Sequence, residues 1–432
     1  MAITTGVIFG FAVSSSFWLL WEYWRSSKLF EPSPASNRNR EIVDGVTGLI
    51  GIEFKFYSNW ISNGCNLGNT PLVRIKSLSN ALGVEILGKA EFLNPGGSVK
   101  DRVAAKILDD AEAAGLLQPY TGCRIFEGTV GSTGISLATL SAARGYETTI
   151  IIPDDVAAEK ALALLALGAH IEKVRPASIV DKKQVRNLAK ARAKAFTSQN
   201  EARYLEISKN PRSQDGFGRI EPGNVPKGFF ADQFEASNHI YNLSNYNAHY
   251  EGTGPEIWQQ TSGQIDAFVS GAGIGCFLRK MHPAIRIVLA DPTGSGLYNK
   301  IKEGVMYDHK ESEGRKRRHQ VDTVVEGIGI NRLTRNFERA IPVVDDAIRV
   351  SDAEAVSMSR YIVKHDGLFL GSSSACNLVA AVQIAKLLPR GSRIVTILCD
   401  SGARHYSKFW NDEYLKGIDI IPDTSITEKM LE

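Results

Sequence analysis

Short runs of apolar and β-branched residues alternate along the chain with longer stretches in which apolar residues recur every three or four positions. The short runs predict buried strands at 147–152, 170–174, 267–269, 285–289 and 394–398. The longer stretches predict helices at 104–117, 157–167 and 182–196. Strands that alternate with helices in this way indicate an α/β fold with a mostly parallel sheet.

A polar segment rich in Pro and Ser, residues 26–40, predicts a linker ahead of the globular part. We expect the globular part to run from residue 41 to about residue 417. A chain of 432 residues is long enough for two packed domains. The sequence shows no internal repeat, and we expect no added regulatory domain after Asp400 because the remaining stretch is short.

The first residues form an apolar segment of a different kind. Residues 3–21 carry no charge, and their number is close to the roughly 20 apolar residues that a membrane span needs. Aromatic residues gather at the end of this segment, and Arg25 and Lys28 follow. A secretory signal peptide would carry its basic residues before the apolar run. We therefore predict an uncleaved membrane anchor at 1–25, with the globular part on the cytosolic side; a cleaved leader is the alternative.

Composition narrows the function classes. The net charge is +3, and hydrophobic and charged residues make up 43% and 22% of the chain, which is ordinary for a globular protein. Nucleic-acid binding would need a clustered basic face, and the basic run at 315–318 is short. The five cysteines are scattered without a C-x-x-C spacing. This argues against a disulfide framework or a structural metal site and fits a reducing compartment.

The strongest local motif is K-A-E-F-L-N-P-G-G-S-V-K-D-R at 89–102. Its proline and glycines predict a tight turn before a helix that begins near Ser98, which can cap it. Lys100 then lies in the first helical turn, where the helix dipole disfavours a cation. A lysine that is neutral for this reason can form a Schiff base, although an ordinary surface lysine is the alternative.

Three further segments share the order strand, Gly/Ser-rich turn, helix: 127–138, 270–275 and 367–377. Such turns offer backbone N–H groups to a carboxylate or a phosphate, or they are simply tight turns and helix caps. No metal cluster or Ser-His-Asp pattern accompanies them in the sequence. In combination with the lysine motif, they favour a phosphorylated organic cofactor.

The lysine motif resembles, nearly letter for letter, the cofactor-lysine motif of fold-type-II pyridoxal-phosphate (PLP) enzymes of the cysteine synthase and cystathionine β-synthase family. Four other segments extend the resemblance over 41–408: G-N-T-P-L-V-R-I at 68–75, A-D-Q-F-E at 231–235, H-Y-E-G-T-G-P-E-I-W at 249–258 and D-A-F-V-S-G at 266–271. Within the family the chain is most like the fungal branch of membrane-anchored mitochondrial cysteine synthases.

The resemblance implies an architecture like that of the tryptophan synthase β chain, with two three-layer αβα domains and mostly parallel sheets. It implies a larger PLP-binding domain formed by 41–92 and 221–417 and a smaller substrate domain at 93–220. A homodimer and a mitochondrial location, at the outer membrane with the catalytic part facing the cytosol, are also implied; a cytoplasmic location is the alternative.

The resemblance also assigns roles to individual residues. It implies that Lys100 forms the Schiff base and moves the α-proton. The residues implied to grip the substrate are Thr129, Gly131, Ser132, Thr133 and Gln233. The residues implied to contact the cofactor, besides Lys100 and Ser132, are Gly271, Ala272, Gly273 and Gly275 at the phosphate, Gly327 beside Gly329 at the site wall, and Ser373 at the pyridine nitrogen.

The activity implied is a β-replacement in which sulfide takes the place of acetate in O-acetyl-L-serine. A serine opposite the ring nitrogen leaves that nitrogen neutral, which suits elimination better than transamination. Related chemistries remain as alternatives: cystathionine β-synthase, serine dehydratase or cysteine desulfhydrase. A further alternative is a non-catalytic, membrane-tethered protein that keeps the fold.

The sequence departs from the family pattern at three places. Ser132 stands where the family has an asparagine that touches the cofactor ring. The phosphate loop around Gly273 is shorter than the family pattern, which threatens the donors that hold a dianionic phosphate. Residues 51–67 and 239–246 are surplus, either as real insertions or as errors of the gene model.

Overall fold

The computed structural model describes residues 42–44, 68–129, 131–176, 181–209, 225–233, 243–270, 272–306 and 323–432. The predicted anchor at 1–25, the linker at 26–40 and the surplus segment 51–67 lie outside these ranges, and so does Gly271. Within them, the structure contains no helix with the length and apolar character of a membrane span.

The described residues form two sheets. The strands are β1 (Ile42–Asp44), β2 (Leu72–Arg74), β3 (Glu85–Ala90), β4 (Arg124–Gly128), β5 (Glu147–Pro153), β6 (His170–Val174), β7 (Gly228–Phe230), β8 (Ala267–Val269), β9 (Arg286–Pro292), β10 (Asp346–Val350) and β11 (Arg393–Leu398). A seven-stranded sheet has the order β1-β2-β3-β11-β8-β9-β10, and a four-stranded sheet has the order β6-β5-β4-β7. All neighbours are parallel except β2 and β3, so the predicted mostly parallel α/β fold is confirmed.

Helices connect these strands. They are α1 (Lys76–Leu82), α2 (Lys100–Ala113), α3 (Ser132–Ala143), α4 (Ala158–Ala166), α5 (Val185–Lys209), α6 (Ser244–Asn247), α7 (Gly254–Gln260), α8 (Ala272–Met281), α9 (Leu297–Glu303), α10 (Arg335–Glu338), α11 (Asp352–Asp366), α12 (Ser372–Ala385), α13 (Asp412–Lys416) and α14 (Ser425–Leu431). A π-helical turn, Ala248–Thr253, joins α6 to α7.

The large sheet is buried on both faces. Along β11, Ile394 and Leu398 pack on one side with residues of α11 and α12, while Val395 and Ile397 pack on the other with residues of α7 and α8. Side chains of a strand alternate between the two faces, so a strand covered on both sides must be apolar almost throughout. Each fully buried aliphatic side chain of this kind contributes roughly 1.5–3 kcal/mol.

The four-stranded sheet is also covered by helices on both faces. Ile125 of β4 packs with α2 and α3, whereas Ile151 of β5 packs with Val185 and Ala189 of α5. This sheet includes β7, which pairs with β4. The segment that forms the smaller sheet therefore extends past residue 220, where we expected the smaller domain to end.

The folded structure continues beyond residue 417, where we expected it to end. Thr427 of α14 is fully buried, and its N–H donates to Ser357 Oγ of α11 at 3.0 Å. The side chain of Phe409, earlier in the same segment, is also fully buried among residues of the large sheet's core. The C-terminal segment is thus an integral layer of the fold.

Replacing Phe409 with alanine should lower the free energy of unfolding by about 3–5 kcal/mol, because the substitution leaves a cavity in the core. Urea denaturation of both proteins measures the difference. The matched control is Tyr406→Ala, since Tyr406 is 58% exposed and its loss should change stability by about 0.5 kcal/mol or less. Equal losses for the two variants would contradict this assignment of the C-terminal segment to the core.

Candidate active site

Lys100 is the first residue of α2, and the turn before it is attached to the end of β11. Val99 N–H donates to the carbonyl of Cys399 at 3.0 Å, and the backbone of Ser98 forms an isolated antiparallel β-bridge with that of Asp400. Ser98 Oγ accepts the N–H of Lys100 at 3.2 Å, so the predicted capping serine contacts the helix, which begins two residues later than expected. Lys100 therefore lies where β3 and β11 end, the edge at which parallel sheets bind ligands.

The amine of Lys100 has a pKa below its usual value. Desolvation by the surrounding protein lowers it, and the nearby Cys399 thiol acts weakly in the opposite direction. The pKa of His249 is lowered to about 3, first by burial and then by the positive charge that Lys100 carries when it is protonated. A neutral amine is nucleophilic and can accept a proton. In the structure, burial is the main cause of the lowered pKa of Lys100, whereas the sequence pointed to the helix dipole.

Ser373 is connected to Lys100 through Cys399. Its hydroxyl forms a hydrogen bond with the Cys399 thiol, whose pKa is raised to about 12, chiefly by burial. The neighbouring serines have other partners: Ser374 Oγ accepts the N–H of Cys399 at 2.8 Å, and Ser372 Oγ accepts the N–H of Glu326 at 3.0 Å. Of the three serines at the start of α12, Ser373 is the one that contacts the thiol neighbour of Lys100.

The loop predicted to hold the substrate carboxylate joins β4 to α3. Because α3 begins at Ser132, the N–H groups of Ser132 and Thr133 have no carbonyl partner one turn earlier in the helix and can bind an anion, whereas Gly134 N–H donates to the carbonyl of Gly131 at 3.0 Å. Gly131 N–H lies 3.4 Å from Thr129 Oγ1, and Thr133 Oγ1 lies 2.5 Å from Gln233 Oε1. The structure thus brings together the five residues that the resemblance assigned to substrate binding.

The shortened phosphate loop is a direct passage from strand to helix. β8 ends at Val269 and α8 begins at Ala272. A Cβ on Gly273 would lie 3.0 Å from the carbonyl oxygen of Tyr246 and 3.2 Å from Cβ of His249, so glycine permits this close approach. The start of α8 is therefore adjacent to His249, which also interacts electrostatically with Lys100.

The residues present fit a cofactor that carries a phosphate and a carbonyl group. Ser270 Oγ accepts from Asn377 Nδ2 at 3.3 Å, which leaves its own hydroxyl hydrogen for an anion at the start of α8. Backbone N–H groups there supply further donors. A lysine with a lowered pKa beside such a donor set defines a class of α/β enzyme, in which the lysine would bind the carbonyl carbon and the helix would bind the phosphate.

The other glycines assigned to the site differ in their surroundings. Gly327, with φ +86°, has open space where a Cβ would stand, which fits a wall of the site. Gly329 also has φ +86°, but its Cβ position is filled by Pro292, 2.7 Å away. A Cβ on Gly275 would lie 2.8 Å from Cγ2 of Ile287 on β9, so this glycine serves the packing of α8 on the sheet.

A buried network of ion pairs fixes the first turn of α2. Arg102 donates from Nε and Nη2 to Glu91 at 2.7 and 2.8 Å, and from Nη1 and Nη2 to Glu256 at 2.6 and 2.7 Å. Lys89 Nζ lies 2.8 Å from Glu256 Oε2. Burial opposes ionisation of Glu256, but the charges of Arg102 and Lys89 hold its pKa at about 2. Two cations and two carboxylates thus balance in a region where only Glu256, with 22% of its side chain exposed, reaches water to any extent.

The C-terminal segment forms another side of the site. Arg404 contacts the carbonyl of Gly96 in the turn before Lys100, and its Nη1 lies 3.4 Å from Ser132 Oγ. Farther along, Ser407 donates to Glu159 of α4 from both its N–H and its hydroxyl, each at 3.0 Å. The segment therefore connects the two halves of the predicted site.

Several residues that shape the site were not identified from the sequence. They are Glu127, His249, Cys399, Asp400 and Arg404. The motif at 249–258 was recognised, but nothing in its spacing shows that His249 borders Lys100. Asp400 accepts from His405 Nε2 at 3.0 Å, and a Cβ on Gly371 would collide with both side chains. Contacts such as those of Gly371 with Asp400 and His405 join separate segments of the chain and become visible only in the folded structure.

Comparison with known proteins identifies the family. A family model described as "Pyridoxal-phosphate dependent enzyme" matches residues 66–400. The chain belongs to this family of enzymes, and pyridoxal phosphate is its cofactor. The class defined by the fold and the site agrees with this assignment.

Individual relatives narrow the comparison. Cysteine synthase 2 of Schizosaccharomyces pombe is 48% identical over 397 residues, which are 90% of this chain and 89% of the relative. A Saccharomyces cerevisiae relative, provisionally named as a mitochondrial cysteine synthase, is 48% identical over 354 residues, 80% of this chain and 83% of its own. The crystal structure of an O-ureido-L-serine synthase superimposes with a TM-score of 0.62 at 27% identity, covering 82% of this chain and 94% of that one.

Replacing Arg102 with methionine should lower the free energy of unfolding by about 3–5 kcal/mol, because Glu91 and Glu256 would keep buried charges without their main partner. Chemical denaturation measures this loss. The matched control is Arg192→Met on α5, whose ion pair with Glu172 is largely exposed and should contribute about 0–1 kcal/mol. A stability loss for Arg102→Met no larger than that for Arg192→Met would contradict the structural role of the network.

Proposed function

We propose that the protein is a cysteine synthase that replaces the acetate of O-acetyl-L-serine with sulfide, giving L-cysteine and acetate. The observation that carries the proposal is the amine of Lys100 at the start of α2, whose pKa is lowered by burial, together with the helix starts of α8 and α3 that can bind anions. The kinship with cysteine synthase 2 supports the choice of substrates.

Each part of the site has a role in this reaction. Bound PLP supplies an electron sink that makes the α-proton of the amino acid acidic. The first turn of α3, with Thr133 and Gln233, holds the substrate carboxylate and so orients the α-carbon. Lys100 holds the cofactor and then serves as the base that removes the α-proton and returns it. Ser373, whose hydroxyl forms a hydrogen bond with the Cys399 thiol, would face the pyridine nitrogen.

The phosphate of PLP would bind at the start of α8. The resemblance assigns the backbone N–H groups of Gly271, Ala272 and Gly273 to this phosphate, and Ser270 would add a hydroxyl. The shorter loop removes the family's threonine donor, but the direct passage from β8 to α8 still presents the N-terminus of a helix to the ligand.

Replacing Lys100 with alanine should abolish the visible absorbance of the lysine-bound cofactor and lower kcat for cysteine formation by at least about 10²–10⁴-fold. Absorbance of the purified protein with added PLP and a cysteine assay measure both effects. The matched control is Lys106→Ala, because Lys106 lies less than two turns farther along α2 and pairs with Asp110 and Glu251. This variant should keep the visible absorbance and the rate of cysteine formation. A visible band that persists in Lys100→Ala would refute the assignment of this lysine.

Substrate choice separates the proposed activity from related chemistries. With O-acetyl-L-serine we expect sulfide to give cysteine with a higher kcat/KM than homocysteine gives cystathionine, and with serine we expect slower turnover. Product analysis with each pair of substrates measures these rates. Preferential use of homocysteine, or release of pyruvate without a sulfur product, would instead assign a cystathionine-forming or an eliminating enzyme.

We also propose that residues 1–25 anchor a homodimer to mitochondria, with the catalytic part facing the cytosol. The uncharged segment 3–21 and the basic residues after it support the anchor, and the Saccharomyces cerevisiae relative's name supports the organelle. Deletion of 1–25 should move the protein from the mitochondrial membrane fraction to the soluble fraction. Membrane association that survives the deletion would contradict the anchor.

A further inference from the structure

A buried lysine lies against the loop that precedes α3. Lys160, in the first turn of α4, is 4% exposed. A Cβ on Gly131 would lie 3.2 Å from Cδ of Lys160 and 3.3 Å from its Nζ, so glycine leaves the room that this side chain needs. The ammonium group of Lys160 is therefore next to the loop whose N–H groups, at Ser132 and Thr133, can bind an anion.

The partner of this ammonium group comes from the wall of the site. Lys160 Nζ forms an ion pair with Oε2 of Glu326, the residue before Gly327. The backbone of Glu326 is fixed in turn, because its N–H donates to Ser372 Oγ at 3.0 Å. An ammonium group has three donor hydrogens, and Glu326 is the acceptor found for it in the part of the chain that the structure describes. Buried donors are normally satisfied, so the remaining hydrogens of Lys160 indicate a ligand.

Glu326 does not depend on Lys160 alone. Lys408 Nζ lies 3.7 Å from Glu326 Oε1, and His405 Nδ1 lies 3.9 Å from its Oε2. The side chain of Glu326 is also 23% exposed, whereas that of Lys160 is 5% exposed, so water reaches the carboxylate more easily than the ammonium group. Lys160 can therefore donate to a second anion while Glu326 keeps its other partners.

Two other carboxylates interact electrostatically with Lys160, and both have donors of their own. Glu159 Oε1 accepts the N–H and the hydroxyl of Ser407, each at 3.0 Å. Asp400 Oδ2 pairs with His405 Nε2 at 3.0 Å. Neither of them forms an ion pair with Lys160 within the described ranges, so the free donors of this lysine remain available to an anion at the loop.

We propose that Lys160 is a substrate-binding residue whose ammonium group donates to the carboxylate of the amino-acid substrate held by the loop before α3. The proposal rests on the proposed function, in which that loop binds the carboxylate. The N–H groups of Ser132 and Thr133 orient the carboxylate, and Lys160 adds a full positive charge beside them. Lys160 thereby selects substrates that carry a free carboxylate.

The first test compares the KM for O-acetyl-L-serine in the full-length holoenzyme and in Lys160→Met, which keeps the length of the side chain without its charge. KM should rise about 10- to 100-fold, the worth of one hydrogen bond between charged groups, with little change in kcat or in PLP affinity. The matched control is Lys408→Met, which removes the same charge and another partner of Glu326 and should change KM by about 5-fold or less. An unchanged KM in Lys160→Met would overturn the proposal.

A variant of the counter-ion separates substrate binding from a purely structural ion pair. The charge of Glu326 repels a substrate carboxylate and competes with it for Lys160, so Glu326→Gln should lower KM about 2- to 5-fold. If the ion pair only held the fold together, both Lys160→Met and Glu326→Gln would raise KM. A higher KM in both variants therefore contradicts the role of Lys160 at the substrate.

A second measurement needs no turnover. The visible spectrum of the holoenzyme is titrated with L-serine and with L-serinamide, which lacks the carboxylate. Lys160→Met should weaken the binding of L-serine about 10- to 100-fold and leave that of L-serinamide unchanged. Equal effects on the two ligands, or none, would overturn the proposal. If O-acetyl-L-serine and sulfide give no cysteine, the proposed function fails, and this titration still decides whether Lys160 binds a carboxylate.

Discussion

The buried charges around Arg102 constrain the rest of the site. A charge removed from water is costly unless it is paired and hydrogen-bonded, and here both carboxylates, Glu91 and Glu256, receive two hydrogen bonds each from one guanidinium. The planar fork of arginine satisfies both only in one orientation. Since Arg102 is two residues from Lys100, that orientation fixes the first turn of α2 and with it the backbone position of Lys100.

The same edge of the large sheet is fixed from the other side by the end of β11. Asp400 pairs with His405, and glycine at position 371 leaves the room that this pair needs. Cys399, one residue earlier, accepts the N–H of Val99 beside Lys100, and its thiol forms a hydrogen bond with Ser373. The lysine and the serine therefore keep their relation to each other because each is attached to β11, a strand in the middle of the sheet.

Local patterns predicted the elements well and the contacts between distant residues poorly. The strands at 170–174 and 267–269 have the predicted bounds, because runs of β-branched and apolar residues are read within a few positions. The helix predicted at 182–196 begins at Val185 and continues to Lys209. Its second half is rich in polar residues, so the helical spacing of apolar residues is hard to recognise there. Motifs located Lys100 and the loop at 129–133, but the burial of Glu127 depends on β7 and α5, which are far away in sequence.

Burial shifts the pKa values of four groups near the site toward their neutral forms. Lys100 favours the neutral amine, His249 has a pKa near 3, Cys399 keeps its proton to a pKa of about 12, and Glu127 keeps its proton to a pKa of about 8. Fixed N–H and O–H dipoles in such surroundings interact strongly with a charge that enters, because little water competes for them. The phosphate of the cofactor and the carboxylate of the substrate bring those charges. A proton gained or lost by one of these four groups therefore changes what the site can bind.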